Sequence, residues 1–217
     1  MVERTGRDAE RSYWVLRAQL GSREALDRVL RSIQAPLFRY LRALVGDRAL
    51  AEDVLQDVML LVCRKLRWLR EPALFDAWAF RIATREAFHR LRRERRWAGR
   101  LDDAALEAVP APAAEETDRF DVAPERLAEL VQALAPASRA VVTLHYGEGL
   151  TIQEAADVLG IPPGTAKSRL AYGLAALRSK LASAGATAAE REATDHATHT
   201  RARVRGRGGD HGDDRET

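Results

Sequence analysis

Cysteine is almost absent: Cys63 is the only one in 217 residues. An internal disulfide and any cysteine-based zinc site are therefore excluded. Long apolar runs are missing as well, and none approaches the roughly 18 residues needed to cross a bilayer. The first residues, MVERTGRDAERSYW, are too polar for a secretory signal peptide. The expectation is a cytoplasmic protein with no membrane insertion. Strand signals are lacking too, with no alternating β-branched run and no Asn-Gly or Asp-Gly hairpin turn between apolar stretches. No nucleophile–base pair, phosphate-cradling glycine loop or pocketed carboxylate pair is visible, so an enzyme is not expected. No cofactor and no metal is expected either. The histidines His196, His199 and His211 fall in a tail without preorganised geometry.

Charge is plentiful, at 31% of residues, yet the net is only +3. That total conceals three segments. Residues 36–100 carry 15 basic and 8 acidic side chains, residues 101–130 carry 2 and 9, and residues 131–183 carry 5 and 3. The basic first segment points to a polyanionic partner.

Apolar periodicity is helical throughout. It predicts helices over Tyr13–Leu20 and Ser22–Val45, the second broken or kinked at Pro36, and a helix over 49–69 with a stripe of Val54, Val58, Val62, Leu66 and Leu69. Cys63 is expected to pack beside that stripe as a small hydrophobe. A loop at 70–73 precedes a helix over Leu74–Arg96. Residues 101–124 are rich in Ala, Pro and acidic side chains and read as a flexible linker. Helices resume over Glu125–Leu134, Pro136–Tyr146, Ile152–Leu159 and Pro163–Leu181, and residues 184–217 read as a disordered tail. The predicted fold class is all-α, with small helical domains over 1–100 and 125–183.

The sharpest local signal is TIQEAADVLGIPPGT, residues 151–165. Thr151 and Glu154 form a capping box. Gly160 stands where a left-handed residue turns the chain, and Pro163 suits the first position of a helix. Two helices joined by so short a turn read either as an ordinary helical hairpin or as a DNA-binding helix-turn-helix. The residues that open the second helix, Thr165, Lys167, Ser168 and Arg169, suit base edges and phosphates and favour the latter.

The helix from Leu74 carries Arg81, Arg85, His89, Arg92 and Arg96 at steps of four, four, three and four, which places them on one face. Arg90, Arg93 and Arg95 broaden the charge, and Trp78 and other aromatics are interleaved. A solvated face is the default reading of such a run. Only Glu86 and Glu94 offset it, however, and a basic stripe with aromatics suits phosphates and unpaired bases. The preceding helix displays Glu52, Asp53, Gln56 and Asp57 opposite its apolar stripe. Complementarity with the helix dipole and docking of a basic partner helix explain them about equally well.

Together these segments resemble the sigma-70 family of bacterial RNA polymerase initiation factors, in its small two-domain extracytoplasmic-function group. The likeness rests on LFRYLRALVGDRALAEDVLQDVMLLVCRKL, FDAWAFRIATREAFHRLRRERR and LAPASRAVVTLHYGEGLTIQEAADVLGIPPGTAKSRLAYGLAALRSKL. It implies that Glu52, Asp53, Gln56, Asp57 and Leu60 dock on core RNA polymerase, at the β′ clamp helices, with further contact to the β subunit. Trp78, Arg81, Arg85, His89, Arg92, Arg93 and Arg96 would engage the −10 element and help melt it. Thr165, Lys167, Ser168 and Arg169 would read the −35 element. The implied partners are core polymerase, promoter DNA and an anti-sigma factor. The sequence departs from the pattern at Arg85, where the family usually has Asn, and at His89, where Asp is common. After Arg169, Ala171–Ala176 replaces a stretch that is often basic, and Gly173 inside a helix costs about 1 kcal/mol relative to Ala.

Overall fold

A computed structural model describes the backbone of residues 2–97 and 123–182 and, within these, the side chains of 9–93, 123 and 126–182. The expected tail and all but the last two residues of the expected linker lie outside the described residues. Among the described residues there are helices and no strand. The order is α1 (Val2–Gln19), α2 (Arg23–Val45), α3 (Arg48–Lys65), short 3-10 turns at Leu66–Trp68 and Pro72–Leu74, α4 (Phe75–Trp97), α5 (Pro124–Gln132), α6 (Pro136–Val142), a π turn at Thr143–Gly147 and α7 (Ile152–Leu159). A helix over residues 163–182, α8, follows. The chain groups Met1–Ala176 into one compact unit, and a second begins at Leu177. Of that second unit, residues 177–182 are described and helical.

Three expectations need correction. The first helix starts at Val2, well before Tyr13. Its outer turns are polar and give no periodicity. Ion pairs of Glu10 with Arg28 and of Arg11 with Asp76 tie it down instead, and Val15 is its one buried residue among those described. Second, α2 is not broken at Pro36 but continues through it as one helix. Proline in a helix interior costs about 3 kcal/mol, and the burial of Ile33, Leu37, Tyr40, Leu41 and Leu44 on both sides of it offsets that cost. Third, Cys63 is exposed. It lies one step past Val62, about 100° around the helix from the buried stripe.

The core is one cluster that takes in both halves of the described chain. Ile33, Leu37, Val58, Phe75 and Ala83 share it with Ala140, Leu144, Ala155 and Val158. A polar pair is buried within it. Thr84 Oγ1 donates to the Phe80 carbonyl at 2.8 Å and so accepts from the Tyr40 hydroxyl at 2.8 Å. Burial drives the Tyr40 phenol above its ordinary range, with the Thr84 hydrogen bond pulling the other way.

The end of α2 is satisfied from the second half. A helix leaves its last four carbonyls without intrahelical partners. Here Gln132 Nε2 donates to the carbonyls of Arg42 (3.0 Å) and Ala43 (2.7 Å), and Arg139 Nη1 to that of Leu44 (2.8 Å). Arg139 also holds Gln132 through its side-chain oxygen and backbone carbonyl. The adjoining Gly46 has φ +83°, and a Cβ there would stand 2.8 Å from Gln132 Oε1.

Candidate nucleic-acid and partner interfaces

α3 starts at Asp47, whose side chain accepts from Leu50 N at 2.8 Å. Ala51, Val54, Leu55, Val58 and Val62 face inward. Steps of three and four then leave Glu52, Asp53, Gln56, Asp57 and Leu60 together on the outer face, all exposed, Leu60 at 49%. Among the described residues two ion pairs touch this face, Arg48 with Glu52 at 2.9 Å and Arg90 with Asp53 at 3.7 Å. Such exposed pairs contribute about 0.5 kcal/mol each. No acidic residue falls in the first turn of α3. Dipole complementarity fades within one turn, so it does not account for a cluster that reaches Asp57.

α4 is seated by Phe75, Ala79, Phe80, Ala83 and Ala87, all buried. The small residues let it lie close to its neighbours. Asp76 in its first turn pairs with Arg11 of α1. On the outer side Arg85, His89, Arg92 and Arg93 are exposed, and Trp78 is half-buried. The backbone of Arg96 continues the same helix. Arg81 differs from the rest: it is half-buried, its Nη2 donates to the Asp157 carbonyl of α7 at 2.6 Å, and its Nε is buried without a partner. The sequence pattern groups these cations correctly, but it carries no sign that α7 lies over the first of them.

The α7–α8 pair forms as the local signals predict. Thr151 Oγ1 accepts from Glu154 N, while Glu154 Oε2 accepts from Thr151 N at 2.7 Å. Gly160 is left-handed, with φ +65°. Ala155 and Ala166 are wholly buried, which permits close crossing of the two helices. At the start of α8, Lys167 is exposed, whereas Thr165, Ser168 and Arg169 are half-buried. Ser168 Oγ donates back to the Gly164 carbonyl at 3.1 Å. Burial pulls the Arg169 guanidinium below its ordinary range.

Comparison with known proteins decides the family. Residues 29–97 match the model of sigma-70 region 2, and residues 125–177 match that of sigma-70 region 4. The chain belongs to the sigma-70 family, in its extracytoplasmic-function group. The first match contains α3 and α4, and the second contains α7 and α8 as far as residue 177. An RNA polymerase sigma-E factor of Streptomyces avermitilis is 31% identical over 75% of this sigma factor and 89% of its own length. The ECF RNA polymerase sigma factor SigL of Mycobacterium tuberculosis is 33% identical over 70% and 86%. A probable RNA polymerase sigma factor RfaY of Xanthomonas campestris is 31% identical over 80% of this chain, which spans only 44% of that longer protein.

Among solved structures, CnrH in complex with the cytosolic domain of CnrY shares the fold at TM-score 0.59 and 22% identity, over 80% of this chain and 97% of that one. Bartonella quintana RpoE in complex with the anti-sigma factor NepR does so at 0.58 and 20%, over 72% and 96%.

Proposed function

We propose that this sigma factor binds core RNA polymerase through the outer face of α3, with Glu52, Asp53, Gln56, Asp57 and Leu60 against the β′ clamp helices and an additional contact to the β subunit. In this reading the basic face of α4, from Trp78 and Arg81 to Arg96, holds the non-template strand at the −10 element and assists melting. The first turns of α8, with Thr165, Lys167, Ser168 and Arg169, enter the major groove at the −35 element. The protein works in the cytoplasm as a non-catalytic specificity subunit, with residues 1–100 and 125–183 as its two reading domains.

The observation that carries this reading is the exposed acidic face of α3 in the same chain as a capped helix-turn-helix. A free-standing DNA-binding regulator has no use for that face. An anti-sigma factor is the expected inhibitor, since a structural neighbour was solved with the anti-sigma factor NepR.

Transcription in vitro with core polymerase on a genomic promoter library tests the proposal. Wild type should direct defined start sites, and Asp53→Arg with Asp57→Arg should lose both core capture and transcription without a change in melting temperature. Failure of the wild type to capture core polymerase would return the protein to the class of free-standing regulators.

A further inference from the structure

The turn that carries Trp68 is held from outside its own segment. α3 ends at Lys65 and runs into the 3-10 turn Leu66–Trp68, and carbonyls at such a helix end lack intrahelical partners. Gln19, in the last turn of α1, reaches both ends of that turn. Its Nε2 donates to the Leu66 carbonyl at 2.9 Å and to the Leu69 carbonyl at 2.7 Å. A primary amide carries two N–H donors on one nitrogen, so a single planar group pins the turn at entry and exit. Leu66 is buried, whereas Trp68 is 63% exposed, with the Arg67 guanidinium 3.8 Å from its ring centre. Trp68 and Trp78 of α4 line an open cleft of about 480 Å³ together with Arg64 and Lys65. Indoles and cations in one cleft suit a stacked nucleobase and its phosphate. The same helix also holds the far side of the segment. Arg11, Val15 and Gln19 follow one another at steps of four on α1 and so share a face. Val15 is in the core, and Arg11 pairs with Asp76 in the first turn of α4. α1 is thus a splint across the α3–α4 connection, with about 12 Å of helix between its two polar grips.

We infer that Gln19 is a positioning residue for strand recognition: its side-chain amide fixes the Leu66–Leu69 turn and, through it, the placement of Trp68 in the cleft shared with Trp78. The inference deepens the reading of Trp78 and α4 as the −10 surface and rests on it. Gln19 lies outside residues 29–97, the part that matches sigma-70 region 2, so the reading cleft is set by a helix that precedes the matched part. Without the amide both carbonyls lose a donor, and the turn samples other arrangements. The fraction of chains with the cleft formed then drops, and the apparent affinity for a single strand falls by that same fraction. The cations of α4 and the acidic face of α3 belong to other elements and keep their places.

The test uses the full chain labelled with 5-fluorotryptophan, its Trp68 resonance assigned by Trp68→Phe. Gln19→Glu keeps the size of the side chain but has no N–H to give, and Gln19→Leu replaces the amide with methyl groups. In both, the fluorine resonance of Trp68 should shift or broaden, while that of Trp14, on α1 itself, stays in place. Affinity for fluorescein-labelled oligo-dT should fall by about fivefold or more, with an unchanged slope against salt and undiminished capture by core polymerase. In a Trp68→Ala background Gln19→Glu should change that affinity by less than about twofold, because the effect passes through the indole. A Trp68 resonance that does not respond overturns the proposal, and so does a loss of affinity that persists without Trp68. Displacement of Trp14 as well would assign the defect to unseating of α1 and overturn it too. Two variants of different polarity keep the test open if one of them folds poorly. Failure of wild type to bind oligo-dT would remove the strand-binding reading itself, and the Trp68 resonance would still decide whether Gln19 sets the turn.

Discussion

Gly173 of α8 lies against Val142 at the end of α6, and a Cβ on Gly173 would stand 2.7 Å from Val142 Cγ2 and 3.5 Å from Ser138 Cβ. The glycine that looks costly by helix propensity is thus the one residue that fits this crossing. Alanine would gain about 1 kcal/mol of propensity and lose about 1–3 kcal/mol to overpacking. Gly173→Ala should therefore lower the melting temperature, and adding Val142→Ala should recover part of the loss. A Gly173→Ala protein more stable than wild type in thermal denaturation by circular dichroism would contradict the close packing.

The buried Tyr40–Thr84 pair predicts an asymmetry. Tyr40→Phe removes one donor and leaves Thr84 bonded to the Phe80 carbonyl, at a cost of about 1 kcal/mol. Thr84→Val strands the Tyr40 hydroxyl in the core and should cost about 1–3 kcal/mol. Urea denaturation of the two variants measures the difference, and equal losses would mean that the direction of the hydrogen bond is wrong.

The exposed cations of α4 should reveal themselves through salt. Each phosphate neutralised on a single strand contributes about 0.7 to the slope of log affinity against log salt. Arg85→Ala with Arg92→Ala should flatten that slope for oligo-dT by up to about 1.4. Fluorescence anisotropy across a salt series measures it, and an unchanged slope would remove these two residues from the strand-binding face.

Cys63 should react with a thiol reagent in the native protein, because its side chain is exposed. Desolvation by its surroundings raises the thiol above its ordinary range, against an opposing backbone hydrogen bond. A raised thiol holds less thiolate at neutral pH. Native labelling should therefore be slower than for a free cysteine and should accelerate as pH rises toward the shifted value. Labelling that requires denaturant would show the residue to be packed.

What was legible in the sequence is what is decided over a few residues. The Thr151–Glu154 box, the left-handed Gly160 and the face shared by Arg85, His89 and Arg92 depend on spacing alone, and the structure reproduces them. Cys63 was misjudged because a residue adjacent to a stripe in sequence is a quarter turn or more away from it in a helix. A break at Pro36 did not occur, because the local penalty is visible in the sequence and the compensating burial is not. Arg139, Gln132 and Glu148 carried no signal at all, since their partners lie on α2, far along the chain. The role of Gly173 was hidden for the same reason: its justification stands on another helix.

Gly46 joins two of these observations at a single point. It closes α2 with a positive φ, it has no side chain where Gln132 presses in, and it immediately precedes Asp47, the residue that starts α3. The corner where the second half takes hold is thus also the root of the helix proposed to meet polymerase. The last turn of α2 and the first of α3 meet across Gly46 and Asp47, so a side chain at position 46 would disturb the Gln132 contact and crowd the Asp47 cap together.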